Sequence, residues 1–277
     1  MNNVFSADAP LVLVGCGHMG RALAVGWLNA GLLPEALIVV DPVANPEALP
    51  GVPGNNFYKT LDEVSLPCAV RAVILAVKPQ VMDDILPQVA PLVGSETLVI
   101  SVAAGVTLRQ MERGLEVEAV LVRAMPNTPA AVGAGITGLT AAKGIKENHK
   151  ALACRLLEAT GQAVWIGSED QMNAVTAVSG SGPAYVFHLV ESMAAAGVKE
   201  GLPEDVAMQL ARQTVIGAAQ LMEQDRDVPA DKLRQKVTSP GGTTAAALGV
   251  LMSENGLTAL MYKAIKAARI RGEELAG

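Results

Sequence analysis

Short continuous runs of Val, Ile and Leu, separated by helical stretches, constrain the first part of this chain more than any other feature. The runs are Leu11–Gly15, Leu37–Asp41, Ala72–Val77, Thr97–Ala103, Ala119–Met125, Ile136–Ala141 and Gln162–Ile166. A strand with one wet face alternates apolar and polar residues. An unbroken apolar strand is covered on both faces, which calls for crossover helices on either side of a parallel sheet. Helices are legible between the runs: Arg21–Ala30, closed by Gly31 in a C-cap position, a stretch from Pro79 to about Val93, Leu108–Leu115 and Glu147–Thr160. That order predicts an α/β domain with a doubly wound sheet over residues 1–167.

Past Gly167 no strand pattern survives. Gln171–Ser179, Pro183–Gly197, Pro203–Glu223, Asp231–Val237, Thr243–Glu254 and Leu257–Leu275 all read as helix, divided by the turn signals S-G-S-G-P, E-G-L-P, D-V-P and E-N-G. Residues 168–277 are therefore expected to form an all-α domain. Its many Ala and Gly positions let helices approach closely, and a domain of Ala-rich helices often shares its core with another subunit.

Composition narrows the function classes. With 21 Lys and Arg against 27 Asp and Glu, the net charge of −6 gives a poor grip on nucleic acid. Aromatic residues make up 3% of the chain, too few for base-stacking platforms. The three cysteines, Cys16, Cys68 and Cys154, lack the spacing of a disulfide framework or a zinc site, and three histidines add little to a metal cage. Met1–Pro10 carries no basic residue and no long apolar core, so no secretory signal is legible. The longest uncharged stretches, Ala124–Ala142 and Gln171–Val190, contain Pro, Asn, Thr and Gly and do not read as membrane spans. A reduced, cytoplasmic setting is the expectation. An enzyme of this composition would take its chemistry from a cofactor.

Gly15-Cys16-Gly17-His18-Met19-Gly20 is a G-x-G-x-x-G turn between the first apolar run and the first helix, with Asp41 at the end of the second run. Gly15 permits the tight turn, Gly17 lets the backbone approach a pyrophosphate, and Gly20 allows the helix to pack on the strand. Free N–H groups and the positive helix end then attract phosphates. This context points to a Rossmann-type sheet and a dinucleotide ligand, the alternative being a glycine-rich turn that holds none. His18, in the same turn as Met19, touches a phosphate, points to solvent or packs locally. A carboxylate at the position of Asp41 holds the ribose 2′-hydroxyl of NAD and repels the 2′-phosphate of NADP, and D-P-V-A-N offers no Arg to rescue the latter. The residues lean towards NAD, unless Asp41 turns away. Ala76-Val77-Lys78-Pro79 and Met125-Pro126-Asn127-Thr128-Pro129 end two further strands and aim at the same crevice. Prolines stiffen the second loop, so that the Asn127 amide could support a nicotinamide ring. Lys78 either screens cofactor charge or is a solvated strand-end lysine.

A second anion site is legible at Thr238-Ser239-Pro240-Gly241-Gly242-Thr243-Thr244, which leads directly into the helix former Ala245-Ala246-Ala247-Leu248. The N–H groups of Gly242, Thr243 and Thr244 would be unpaired by that helix and suit a carboxylate or phosphate. Simple N-capping by a Thr hydroxyl is the alternative.

The S-P-G-G-T-T stretch with its Ala-rich helix resembles the signature of the pyrroline-5-carboxylate reductase family. A-V-K-P, S-V-A-A-G-V, M-P-N-T-P and S-G-S-G-P-A-Y are similar to that family too, in the expected order and across nearly the whole chain. The resemblance implies hydride transfer from NADPH or NADH to the C=N carbon of 1-pyrroline-5-carboxylate, giving L-proline. It implies that Gly242, Thr243 and Thr244 bind the substrate carboxylate, with Ser239 in the same loop. Thr244 would sit near the ring nitrogen as hydrogen-bond partner or proton donor, and Asp227 would approach that nitrogen. It also implies a homodimer with intertwined helical domains and an active site built across two subunits. The family commonly favours NADPH whereas Asp41 argues for NAD, so both stay open. Two rival readings fit these residues less well. A β-hydroxyacid dehydrogenase shares the layout and G-H-M-G but uses a lysine on the helix after the interdomain Gly-rich segment. Ser179–His188 contains none, and the nearest downstream is Lys199. A non-catalytic nucleotide sensor has no need of a second anion site.

Overall fold

A single sheet of eight strands, in the order β3-β2-β1-β4-β5-β6-β7-β8, organises the first part of the chain. The strands are β1 (Leu11–Val14), β2 (Leu37–Val40), β3 (Phe57–Tyr58), β4 (Ala72–Leu75), β5 (Leu98–Ser101), β6 (Val120–Met125), β7 (Gly135–Ala141) and β8 (Gly161–Trp165). The computed structural model describes residues 4–64 and 70–275, so Cys68 lies outside the described residues. Strands β1 to β6 are parallel in the order 3-2-1-4-5-6, the doubly wound arrangement expected from the apolar runs.

Both faces of β1 are covered. Leu11 and Leu13 pack with Trp27 of α1 (His18–Asn29) and Leu156 of α4 (Glu147–Glu158). Val12 and Val14 pack on the opposite side with Met82 and Leu86 of α2 (Met82–Val89) and Met111 of α3 (Leu108–Leu115). Full burial of each such side chain contributes about 1.5–3 kcal/mol. The Trp27 indole N–H also donates to the Leu156 carbonyl at 2.7 Å, tying α1 to α4 within one layer.

Two features of the sheet differ from a plain reading of the runs. Phe57–Tyr58 is an additional edge strand beside β2, too short to show any periodicity. β7 runs antiparallel to β6, because residues 126–134 hold a single 3-10 turn, Thr128–Val132, and no crossover helix. β8 then pairs parallel to β7.

The chain packs as two units, Met1–Gly180 with Arg269–Gly277, and Ser181–Ala268. Residues 168–180 belong to the first: Arg123 of β6 binds Glu169 at 3.0 Å, and a Cβ on Gly138 of β7 would meet Val175 Cγ1 at 2.6 Å. This segment contains α5 (Met172–Val175) and a π-helical turn, Thr176–Gly180. The second unit is helical, with α6 (Gly182–Lys199), α7 (Glu204–Gln224), α8 (Ala230–Lys236), α9 (Thr243–Leu251) and the start of α10 (Leu257–Leu275). Its buried hydrophobic residues are three alanines, Ala194, Ala207 and Ala211.

Candidate functional site

At the end of β1 the neighbouring strands diverge, β2 continuing one wing of the sheet and β4 the other, and a crevice opens beyond such a switch point. Backbone bonds lock the three strand ends together. The Gly15 N–H donates to Val40 at 2.9 Å and the Ala76 N–H to Val14 at 2.8 Å. Gly15 has φ +92°, a conformation only glycine adopts readily, and a Cβ there would meet the Ala76 carbonyl at 2.7 Å. Gly20 is needed for contact: its Cβ would strike the Gly15 carbonyl oxygen. Gly17 differs, because a Cβ on it would meet nothing within 4 Å. Gly17 is also the N-cap of α1, where no side chain caps the helix. The positive helix end is thus uncapped and open beside Gly17, which fits a dinucleotide pyrophosphate.

The other expected cofactor residues are placed as follows. His18, the first residue of α1, is exposed, and Met19 is half-buried against the core. Val77 approaches the Gly15 turn, Lys78 is exposed, and Pro79 starts a 3-10 turn. Asp41 does not turn away: its Oδ2 accepts the Cys16 N–H at 2.6 Å. Burial pushes the Cys16 thiol up, and the Asp41 carboxylate adds to that effect while Arg21 opposes it. A cavity of about 240 Å³ beside the turn is lined by Gly15, Asp41, Pro42, Lys59, Thr60 and Val77. Lys59 and Thr60, which no sequence motif marks, reach this cavity because they follow the two-residue strand β3.

Asn127 is buried and braces the backbone. Its Oδ1 accepts the Ile136 N–H at 3.0 Å and its Nδ2 donates to the Ser179 carbonyl at 3.2 Å. It therefore fixes the loop after β6 to the start of β7 and to the π-helical turn. Met125 reaches the same turn, since a Cβ on Gly180 would meet its Cε at 2.7 Å.

In the helical unit, Gly241 has φ +71° and Gly242 is the N-cap of α9. One expectation is corrected: the Gly242 N–H is not free but closes a turn onto the Ser239 carbonyl at 3.1 Å. A Cβ on Gly242 would lie 2.5 Å from Ser239 Oγ, a contact that rotation of the serine side chain can relieve. No side chain caps α9, so a threonine cap does not account for the motif. Among the described residues, the N–H groups of Thr243, Thr244 and Ala245 have no backbone partner, the first α9 bond being Ala246 to Gly242 at 3.2 Å. Thr244 is half-buried, Ser239 exposed, and Asp227 exposed in the connection between α7 and α8. Among the described residues no group of three His, Cys, Asp or Glu side chains could hold a metal, and no helix is long and apolar enough to cross a membrane.

Comparison with known proteins bears on both units. Residues 169–275 match the pyrroline-5-carboxylate reductase dimerisation family, and residues 10–105 match the family described as NADP oxidoreductase, coenzyme F420-dependent. The chain is 45% identical to the pyrroline-5-carboxylate reductase of Synechocystis and 37% identical to that of Haemophilus influenzae, in each case over 96% of this chain and 97% of the relative. Among solved structures, the pyrroline-5-carboxylate reductase of Coxiella burnetii matches with a TM-score of 0.87 and 37% identity, over 98% of this chain and 99% of the other. The Plasmodium falciparum pyrroline carboxylate reductase, solved with NADP bound, matches with a TM-score of 0.79 and 30% identity, over the same shares.

Proposed function

The chain belongs to the pyrroline-5-carboxylate reductase family, and from that premise we propose how its residues divide the work. The reaction is reduction of the C=N bond of 1-pyrroline-5-carboxylate by NAD(P)H to give L-proline. When bound, the reduced nicotinamide supplies the hydride. The substrate carbon takes that hydride, the C=N π pair passes to nitrogen, and one proton ends on nitrogen. A protonated cyclic imine is already electrophilic, so the protein's contribution is chiefly alignment, worth about 7–11 kcal/mol for well-oriented reactants.

In this reading residues 1–167 bind the dinucleotide, and 168–277 bind the substrate and dimerise. Gly15, Gly17 and Gly20 shape the pyrophosphate turn with His18 and Met19, Asp41 meets the adenosine ribose, and Ala76, Val77, Lys78 and Pro79 wall the crevice. Asn127 positions the loop beside it. The observation that carries the substrate assignment is the uncapped start of α9, with the N–H groups of Thr243 and Thr244 lacking backbone partners. It suits the substrate carboxylate, with Gly242 and Ser239 shaping the turn. Thr244 serves the ring nitrogen by hydrogen bond or proton transfer, and Asp227 approaches the same atom. The enzyme is a homo-oligomer. We further propose that its helical domains intertwine, that higher assembly builds on that dimer, and that it works in the cytoplasm, where isolated thiols stay reduced.

Purified protein should oxidise NADH or NADPH when given 1-pyrroline-5-carboxylate. Absence of turnover with both would overturn the reading, and NAD(P)H oxidation with a 3-oxo acid instead would favour a β-hydroxyacid dehydrogenase. Thr244→Ala should lower kcat by about 100-fold if its hydroxyl passes on the proton, with cofactor affinity intact. An unchanged rate would remove Thr244 from the mechanism.

A further inference from the structure

Asp41 is anchored so firmly that its preference among nucleotides can be argued. Four backbone groups define its position. Its Oδ1 accepts the Val43 N–H at 2.9 Å and its Oδ2 accepts the Cys16 N–H at 2.6 Å. Its own N–H donates to the Tyr58 carbonyl at 3.0 Å, and its carbonyl accepts from Ala44 at 3.3 Å. Pro42 further restricts its backbone. An aspartate that merely caps a turn needs only the bond to Val43. The bond to Cys16 is of another kind, because it reaches 25 residues back into the Gly-rich turn. The carboxylate is thereby fixed at the edge of the cavity that also touches Gly15, Lys59 and Val77.

Each carboxylate oxygen has two acceptor positions, and one on each is used. The remaining capacity suits a hydroxyl donor. A 2′-phosphate brings acceptor oxygens and a charge of about −1.5 to −2 near a carboxylate that cannot retreat. The turn after β2 supplies no relief: Pro42 to Ala48 contains no Lys or Arg and adds Glu47. Lys59 lines the cavity and Arg21 lies on the first turn of α1, but both are exposed and screened by water.

We propose that Asp41 makes this chain NADH-selective, accepting the 2′-hydroxyl of the adenosine ribose and rejecting a 2′-phosphate. The inference rests on the cofactor site assigned above. It sets this chain apart from the Plasmodium falciparum relative, which was solved with NADP.

Calorimetry on the purified oligomer, without substrate, should compare ADP-ribose with its 2′-phosphorylated form at moderate salt. ADP-ribose should bind at least tenfold tighter, and kcat/KM for NADH should exceed that for NADPH by a similar factor. Asp41→Ser should reduce the binding ratio at least tenfold. Asp41→Asn, which keeps the shape and removes the charge, should also reduce it and covers the case in which the serine variant does not fold. Lys59→Ala should raise the ratio or leave it unchanged. Equal or tighter binding of the 2′-phosphorylated ligand by the wild type overturns the inference. So does a ratio unmoved in a folded Asp41 variant. Because calorimetry needs no turnover, selective binding by a protein that reduces no imine would overturn the assigned reaction and leave the selectivity standing.

Discussion

Arg123 and Glu169 are partners with very unequal access to water, and that inequality sets what each substitution should cost. The Arg123 side chain is 6% exposed and that of Glu169 28%. Glu169 Oε1 accepts from Arg123 at 3.0 Å and from the Leu108 N–H, at the start of α3, at 2.9 Å. Glu169→Ala strands a buried guanidinium and should cost about 3 kcal/mol. Arg123→Met leaves a carboxylate that reaches water and keeps the Leu108 bond, so it should cost about 1 kcal/mol. Thermal unfolding of both variants checks the asymmetry; equal losses would contradict it. The pair matters for the site because the segment it anchors runs on to Ser179, whose carbonyl receives the Asn127 amide. None of these bonds is legible in the sequence. Arg123 and Glu169 stand 46 residues apart and Asn127 and Ser179 52 apart, with no local pattern linking either pair.

At the scale of elements, what was legible was what neighbouring residues decide. The apolar runs located β1, β2, β4 and β5 because burial on both faces writes itself into consecutive residues. They also marked β6 to β8, although β8 alternates half-buried with exposed residues, and the bounds of α3 are likewise legible. Phe57–Tyr58 escaped because its strand comes from pairing with β2 alone, and the π-helical turn at 176–180 lay hidden inside a good helical pattern. Both anion turns were legible, since glycine spacing before a helix is a local signal, whereas the closure of Gly242 onto Ser239 was not foreseen. The Gly-rich turn also permits a sharper separation of roles. Gly17→Ala adds a methyl to open space at an ordinary backbone conformation, so stability without cofactor should change by less than about 0.5 kcal/mol. Its affinity for NADH should nevertheless fall at least tenfold, the methyl occupying the pyrophosphate's approach. Gly20→Ala meets backbone and should lose stability and affinity together. Melting curves with and without NADH distinguish the two, and matching behaviour would refute the division.

For the whole molecule, the decisive quantity is how little the helical unit buries on its own. A core of three alanines contributes far less than the leucine and valine layers around the sheet, because each buried methylene is worth about 0.8 kcal/mol and alanine has almost none to offer. Its large apolar side chains are instead on the surface. Phe187 is 64% exposed beside Val186, Met208 and Ile216, in a groove of about 540 Å³ between α6 and α7. In a chain with three phenylalanines, one placed in water is a cost that burial against a partner subunit would remove. Folding of this unit should therefore be coupled to self-association, and the thermal midpoint should rise with protein concentration. Phe187→Glu should shift sedimentation towards the monomer and lower helicity at micromolar concentration. Because the α9 turn assigned to the substrate carboxylate belongs to the same unit, reductase activity should fall in step with dissociation, while NADH binding by the sheet domain persists. A monomer that keeps its helicity, with a midpoint independent of concentration, would show that the alanine core suffices and that the exposed groove has no structural part in assembly.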